Sequence, residues 1–214
     1  RGHDFEHRFL ADLKAREPGL VEIVRGTPSQ PDTLAAMRAG APIIYQAHLS
    51  VGEWHGYPDF LFRVGGSSSL GGYHYVPWDT KLARSARPYF LVQLCAYAEL
   101  LESLQGQRPA ELVFVLGQGE ERRFPTQHYF HYYRQLKAAF LAFQAAWRPD
   151  ATPDPGLDRS WGRWSEAAER QLADADHLSR VANITRGQVR RLEDAGISTL
   201  SGLAVSSDSR VPRV

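Results

Sequence analysis

Two hydrophobic periods organise the chain. Over residues 3–16, Phe5, Phe9, Leu10 and Leu13 recur at helical spacing and predict an amphipathic helix. A short apolar run over 20–24 reads as a strand. Pro28, Ser29 and Pro31 make 26–32 turn-like, and 33–39 suits a short helix that stops at Gly40. Three strands are predicted over 42–51, 57–64 and 73–82, the last two joined as a hairpin by the Gly/Ser-rich loop 65–72. Pro88 suits the first turn of a long helix reaching Gln105, with Phe90, Leu91, Leu94, Cys95, Ala98 and Leu101 on its apolar face. Residues 111–117 read as a buried strand, 120–124 as its partner, and 126–147 as an aromatic-rich helix.

The pattern then changes. Prolines and aspartates crowd the segment around 149–160, which reads as a linker. An amphipathic helix over 164–173 follows, and then two short helices flanking Gly196. Residues 207–214 read as a loose polar tail. The expected organisation is an α/β core over 1–148 with a mixed sheet flanked by helices, the linker, and a small helical appendage over 161–206.

Composition narrows the function classes. Hydrophobic residues make up 43% and charged residues 23%, ordinary values for a globular chain. A net charge of +1 does not point to a nucleic-acid coat protein and leaves room for local positive charge. No apolar run is long enough for a membrane span, and residues 1–16 lack the apolar segment of a secretory leader, so no membrane role is expected. The single cysteine, Cys95, excludes an internal disulfide and fits a cytoplasmic setting. The chain begins at Arg1 and runs straight into a helical pattern, which reads as a piece of a longer polypeptide.

Candidate chemistry starts at Glu6. On the helical wheel it falls inside the apolar stripe, and a buried carboxylate must be paired, protonated or metal-bound. A core salt bridge accounts for it equally simply. Asp79 and Lys81, two apart on a strand, share a face. Asp59, directly after Pro58, opens the preceding strand and reaches Asp79 if the two strands pair. Two converging carboxylates suit Mg2+ or Mn2+, and an adjacent ammonium can orient water and stabilise charge on a phosphate. Alone, Asp-Thr-Lys is commonly a surface ion pair, and Asp after Pro is commonly a turn former.

The ordered set is more specific: a helix with an inward Glu, Pro58-Asp59, Asp79-Thr80-Lys81, then a helix carrying Gln93 and Tyr97. It resembles the RecB-like branch of the PD-(D/E)XK nuclease superfamily, as found in large bacterial proteins fused to helicase modules. That resemblance covers roughly residues 2–145 and implies a restriction-endonuclease-like fold. It implies a metal-dependent deoxyribonuclease acting as an exonuclease on DNA ends or single strands, with DNA as partner and a helicase or ATPase module elsewhere in a longer chain. It makes Asp59, Asp79 and the Thr80 carbonyl ligands of Mg2+ or Mn2+, with Glu6 contributing, and Lys81 the catalytic lysine. Gln93 and Tyr97 would position DNA, and Arg84 and Arg87 lie near enough to join them. Many relatives carry a histidine just before the helix-one acid; here that residue is Phe5, which leaves either Glu6 as the sole contributor from this helix or His3 as a substitute. Several relatives hold an iron–sulfur cluster, but the downstream cysteines it needs are missing, so no cluster is expected; Trp161 and Trp164 are expected to pack in its place.

Residues 184–204 resemble a helix-hairpin-helix, whose helix start can hold a phosphate, although a plain packing hairpin fits as well. Arg122, Arg123, Arg186, Arg190 and Arg191 are further phosphate-contact candidates, each more commonly a solvated charge. The aromatics of 128–134 are expected mainly in the core. The competing functions are a catalytically inactive DNA-binding module that guides strands, and a purely structural domain.

Overall fold

Phe5, Leu10 and Leu13 bury one stripe of α1 (Gly2–Arg16) and dock it on a sheet. The computed structural model describes residues 2–24, 29–148, 154–158 and 160–206. In chain order α1 is followed by β1 (Val21–Glu22), α2 (Ser29–Arg38), β2 (Ile43–Tyr45), β3 (Leu49–Val51), β4 (Trp54–Gly56), β5 (Phe60–Ser68) and β6 (Gly71–Lys81). Then come α3 (Pro88–Gln105), β7 (Glu111–Leu116), β8 (Glu121–Pro125) and α4 (Gln127–Ala146). The chain divides into two compact units, residues 1–145 and 146–214.

The first unit is α/β, built on a six-stranded mixed sheet in the order β1-β2-β5-β6-β7-β8. The β1–β2 and β6–β7 pairs are parallel and the others antiparallel. Strand alternation sends side chains to two cores. On one face Phe60, Val76, Trp78, Val113 and Val115 pack with α1. On the other, Leu61, Tyr75, Leu112, Phe114 and Leu116 pack with Phe90, Leu94, Cys95, Ala98 and Leu101 of α3. Leu94 and Leu101 are fully buried, each contributing on the order of 2 kcal/mol through burial. Pro88 occupies the first turn of α3, and Gly106, at φ 71, ends the helix in the left-handed conformation.

Three expectations are corrected. The strand over 42–51 is split, because Gln46 takes φ 56, where a β ladder cannot continue. Its second half, β3, pairs instead with β4, a strand the hydrophobic pattern did not signal. The turn over 26–32 gives way to helix from Ser29 onward, because a proline at 31 sits in the first turn, whose N–H groups need no intrahelical partner. Residues 25–28 lie outside the described residues. The loop over 65–72 is largely strand: Ser68 pairs with Gly71 across a register shift, with Gly66 at φ 133.

The aromatics of 128–134 divide. Phe130 and Tyr133 are buried, whereas Tyr132 is exposed along with Leu136, Phe140 and Phe143 of the same helix. Among the described residues no helix is long and apolar enough to cross a membrane.

The second unit holds α5 (Ser165–Asp174), α6 (Arg186–Asp194) and α7 (Leu200–Ala204) around Leu178, Ile184, Leu192 and Ile197. Thr185 and Gln188 form a reciprocal cap on α6, and Gly196 at φ 81 turns the chain toward α7. Trp161 is half-buried and donates to the Pro155 carbonyl at 3.0 Å. Trp164 is 75% exposed, so the packing role expected of it is corrected: its ring lies on the surface of this unit. The linker residues 149–153 and the tail 207–214 lie outside the described residues.

Candidate active site at the end of the sheet

The antiparallel register places Phe60 opposite Trp78, so the next position out brings Asp59 level with Asp79 at the end of the β5–β6 pair. Asp59 reaches across the strand end. Its Oδ2 accepts from the Thr80 amide at 2.8 Å and the Thr80 hydroxyl at 2.7 Å. Asp79 is 1% exposed and forms an ion pair with Lys81 on the same strand. Its Oδ2 nevertheless has no partner in hydrogen-bond geometry. Burial first, then the nearby Asp59 charge, push the Asp79 carboxyl well above the usual carboxylate range. Asp59 is raised as well, by burial and by Glu6, against the hydrogen bonds from Thr80 that favour its charged form.

Lys81 is held from the α3 side. Its ammonium donates to Gln93 Oε1 at 3.2 Å and lies 5.4 Å from the Phe90 ring centre. Gln93 Nε2 donates to the Tyr97 hydroxyl at 2.8 Å, and that hydroxyl donates to the Tyr57 carbonyl at 3.3 Å. The spacing of Gln93 and Tyr97 on α3 makes this relay local to one helix face. Tyr97 is buried, so its polar end acts on protein groups; burial raises its phenol to about 12.

Glu6 approaches from the α1 side and is buried, as its place in the apolar stripe predicts. Its Oε1 accepts from the Tyr45 hydroxyl at 2.9 Å and the Gln46 amide at 2.5 Å. His3 Nδ1 stands 3.7 Å from the other carboxylate oxygen. Gln46 also donates its backbone N–H to the Asp59 carbonyl at 2.8 Å. Its left-handed backbone thus ties both acids together, at a cost on the order of 1 kcal/mol in strain. Neither Tyr45 nor Gln46 was a sequence candidate; the only cue was a polar residue interrupting an apolar run. His3, Glu6, Asp59, Thr80 and Lys81 line an open cleft of about 350 Å³.

These groups suit a divalent cation in kind: two adjoining carboxylates, both raised by burial and like charge, with the buried Asp79 Oδ2 ion-paired to Lys81. Among the described residues no three His, Cys, Asp or Glu side chains stand together as a metal-holding group. Glu6 lines the same cleft as Asp59, and its charge contributes to raising the Asp59 carboxyl.

The remaining basic candidates are scattered. Arg84 and Arg87 are exposed on the connection from β6 to α3. Arg122 pairs with Glu120, and Arg123 with Glu111 and Glu121. Arg186 lies 3.6 Å from Asp158, and Arg190 and Arg191 are exposed. In the second unit, Asp176 accepts from the Leu200 and Ser201 amides at 2.8 Å each, and Thr199 from Gly202 at 3.0 Å. The N–H groups at the start of α7 are thereby met by protein groups, one of them anionic.

No family model matches the chain, and no curated protein matches it.

Proposed function

We propose that the first unit is a divalent-metal-dependent deoxyribonuclease of the RecB-like PD-(D/E)XK kind, with a restriction-endonuclease-like core, acting as an exonuclease on DNA ends or single strands. The observation that carries the reading is Asp79: a buried carboxylate beside a second acid, its Oδ2 ion-paired with the Lys81 ammonium. A carboxyl shifted this far by burial and a neighbouring charge is a functional-site candidate.

Asp59 and Asp79 would hold Mg2+ or Mn2+ together with the Thr80 carbonyl, and Glu6 adds negative charge from the cleft wall. A bound ion of this type polarises the phosphate and activates water. Lys81 supplies a positive charge and hydrogen-bond donors to the attacking water or the phosphate. Gln93 and Tyr97 are positioning residues that aim the Lys81 ammonium. Arg84 and Arg87, both exposed, would meet backbone phosphates. A helicase or ATPase module in a longer chain remains part of this proposal.

The test is cleavage of 5′- and 3′-labelled single- and double-stranded DNA with Mg2+ or Mn2+. Hydrolysis that stops on chelation is expected, and Lys81→Ala should lower it by at least about a hundredfold, the lower range for loss of a positioned proton-transfer group. Undiminished cleavage by that variant counts against the assignment. A strand-guiding module without catalysis is the second reading; DNA binding without cleavage by the wild-type chain would select it.

A further inference from the structure

The β5–β6 ladder ends where Phe60 faces Trp78. Continued two positions, the same register would set Thr80 opposite Pro58, and proline has no N–H with which to carry a ladder on. The Asp59 side chain takes the ladder's place. Its Oδ2 accepts from the Thr80 amide at 2.8 Å, which closes the strand end. The Thr80 hydroxyl adds a second bond to the same oxygen at 2.7 Å. That hydroxyl belongs to a half-buried, β-branched side chain, whose rotamers are few.

The two bonds divide one carboxylate into unlike halves. A carboxylate has about four lone-pair sites, roughly two on each oxygen. Two donors fill the share of Oδ2, and Oδ1 carries neither of them. Asp59 can then give a cation one oxygen, not two. Asp59 and Thr80 both line the cleft. The number of oxygens matters because divalent cations differ in what they need. Mg2+ holds a strict octahedron at about 2.0–2.1 Å, keeps several waters, and is bound through one or two carboxylates. Ca2+ takes about six to eight oxygens at about 2.3–2.6 Å and readily uses both oxygens of one carboxylate.

We propose that the Thr80 hydroxyl holds Asp59 as a one-oxygen ligand and so makes this site prefer a small octahedral cation to Ca2+. The inference rests on the metal-dependent reading of the cleft and adds to it the cause of the choice of metal. Thr80 is a positioning residue in this respect: its side chain acts through Asp59.

The test is metal binding in the absence of DNA. Mn2+ alone is titrated into the chain, followed by its electron paramagnetic resonance signal, and then displaced with Ca2+. The wild-type chain should bind Mn2+ and release it only to an excess of Ca2+. Thr80→Val removes the hydroxyl and keeps the amide and the β-branched shape. It should move the preference toward Ca2+ by about tenfold, the lower range for loss of an outer partner at a metal site. Thr80→Ser keeps the hydroxyl and should keep the wild-type ratio. The ratio is read within each variant, so a general loss of stability does not imitate the effect. Equal ratios in the wild type and Thr80→Val, or a Thr80→Ser variant that follows Thr80→Val, overturn the positioning role. A wild-type chain that binds Mn2+ without discriminating against Ca2+ overturns it too, and leaves the nuclease reading standing. A wild-type chain that binds neither cation overturns the metal-dependent reading, and this inference with it.

Discussion

Two acids reach the same end of the sheet from opposite faces and are treated differently. Glu6, on the α1 face, has hydrogen bonds from Tyr45 and Gln46. Asp79, on the α3 face, is more deeply buried, sits beside Asp59, and keeps an oxygen without hydrogen-bond geometry. The first arrangement is how a protein stabilises a buried carboxylate. The second sets the carboxylate against an ammonium, in an ion pair without hydrogen-bond geometry, and beside a like charge that raises it. The α1 face thus braces the cleft, and the α3 face holds the acid pair and the ammonium on which the proposed chemistry rests.

The largest expected effect separates these roles directly. Asp79→Ala should reduce cleavage by more than the roughly 10–100-fold that outer partners of a metal site cost, while its urea midpoint moves little. Glu6→Ala should instead lower stability by about 1–3 kcal/mol, because Tyr45 and Gln46 lose a buried acceptor. If Glu6→Ala unfolds no more easily than Asp79→Ala, the two faces are not distinct in this way.

An intermediate effect tests the relay on the α3 face. Tyr97→Phe removes the hydroxyl that joins Gln93 to the Tyr57 carbonyl and leaves the ring. The expected loss is about tenfold in kcat with KM nearly unchanged. A change confined to KM would make Tyr97 a substrate contact and detach the relay from Lys81.

The smallest effect is a slope in stability with pH in chelator. Asp79 is raised to about 7 in the folded chain, whereas an unfolded aspartate titrates near about 4. Between these values the folded chain binds more protons than the unfolded one, so stability is greatest below the window and falls as pH rises through it. Asp79→Asn should flatten that slope in urea unfolding from pH 4 to 7. Parallel slopes would place the titrating group elsewhere.

Much of the site was legible because its signals are local. Asp79 and Lys81 share a face through the two-residue period of a strand. Gln93 and Tyr97 share one through the helical turn, and Glu6 sits in the apolar stripe because of the helical angle between it and Leu10. The same local reading missed β4, ran a strand straight through Gln46 into β3, and gave no role to Tyr45 or Tyr57. Their roles are set by partners distant in the chain, such as the 39 residues between Tyr45 and Glu6.

The sequence by itself determined which chemical groups stand on a common helix or strand face, since periodicity follows from backbone geometry alone. Only the tertiary structure decided which acid would be hydrogen-bonded by neutral groups and which would face an ammonium and a second acid. Those outcomes depend on strand register and on a single left-handed residue at 46, which close contacts between segments that no local pattern relates.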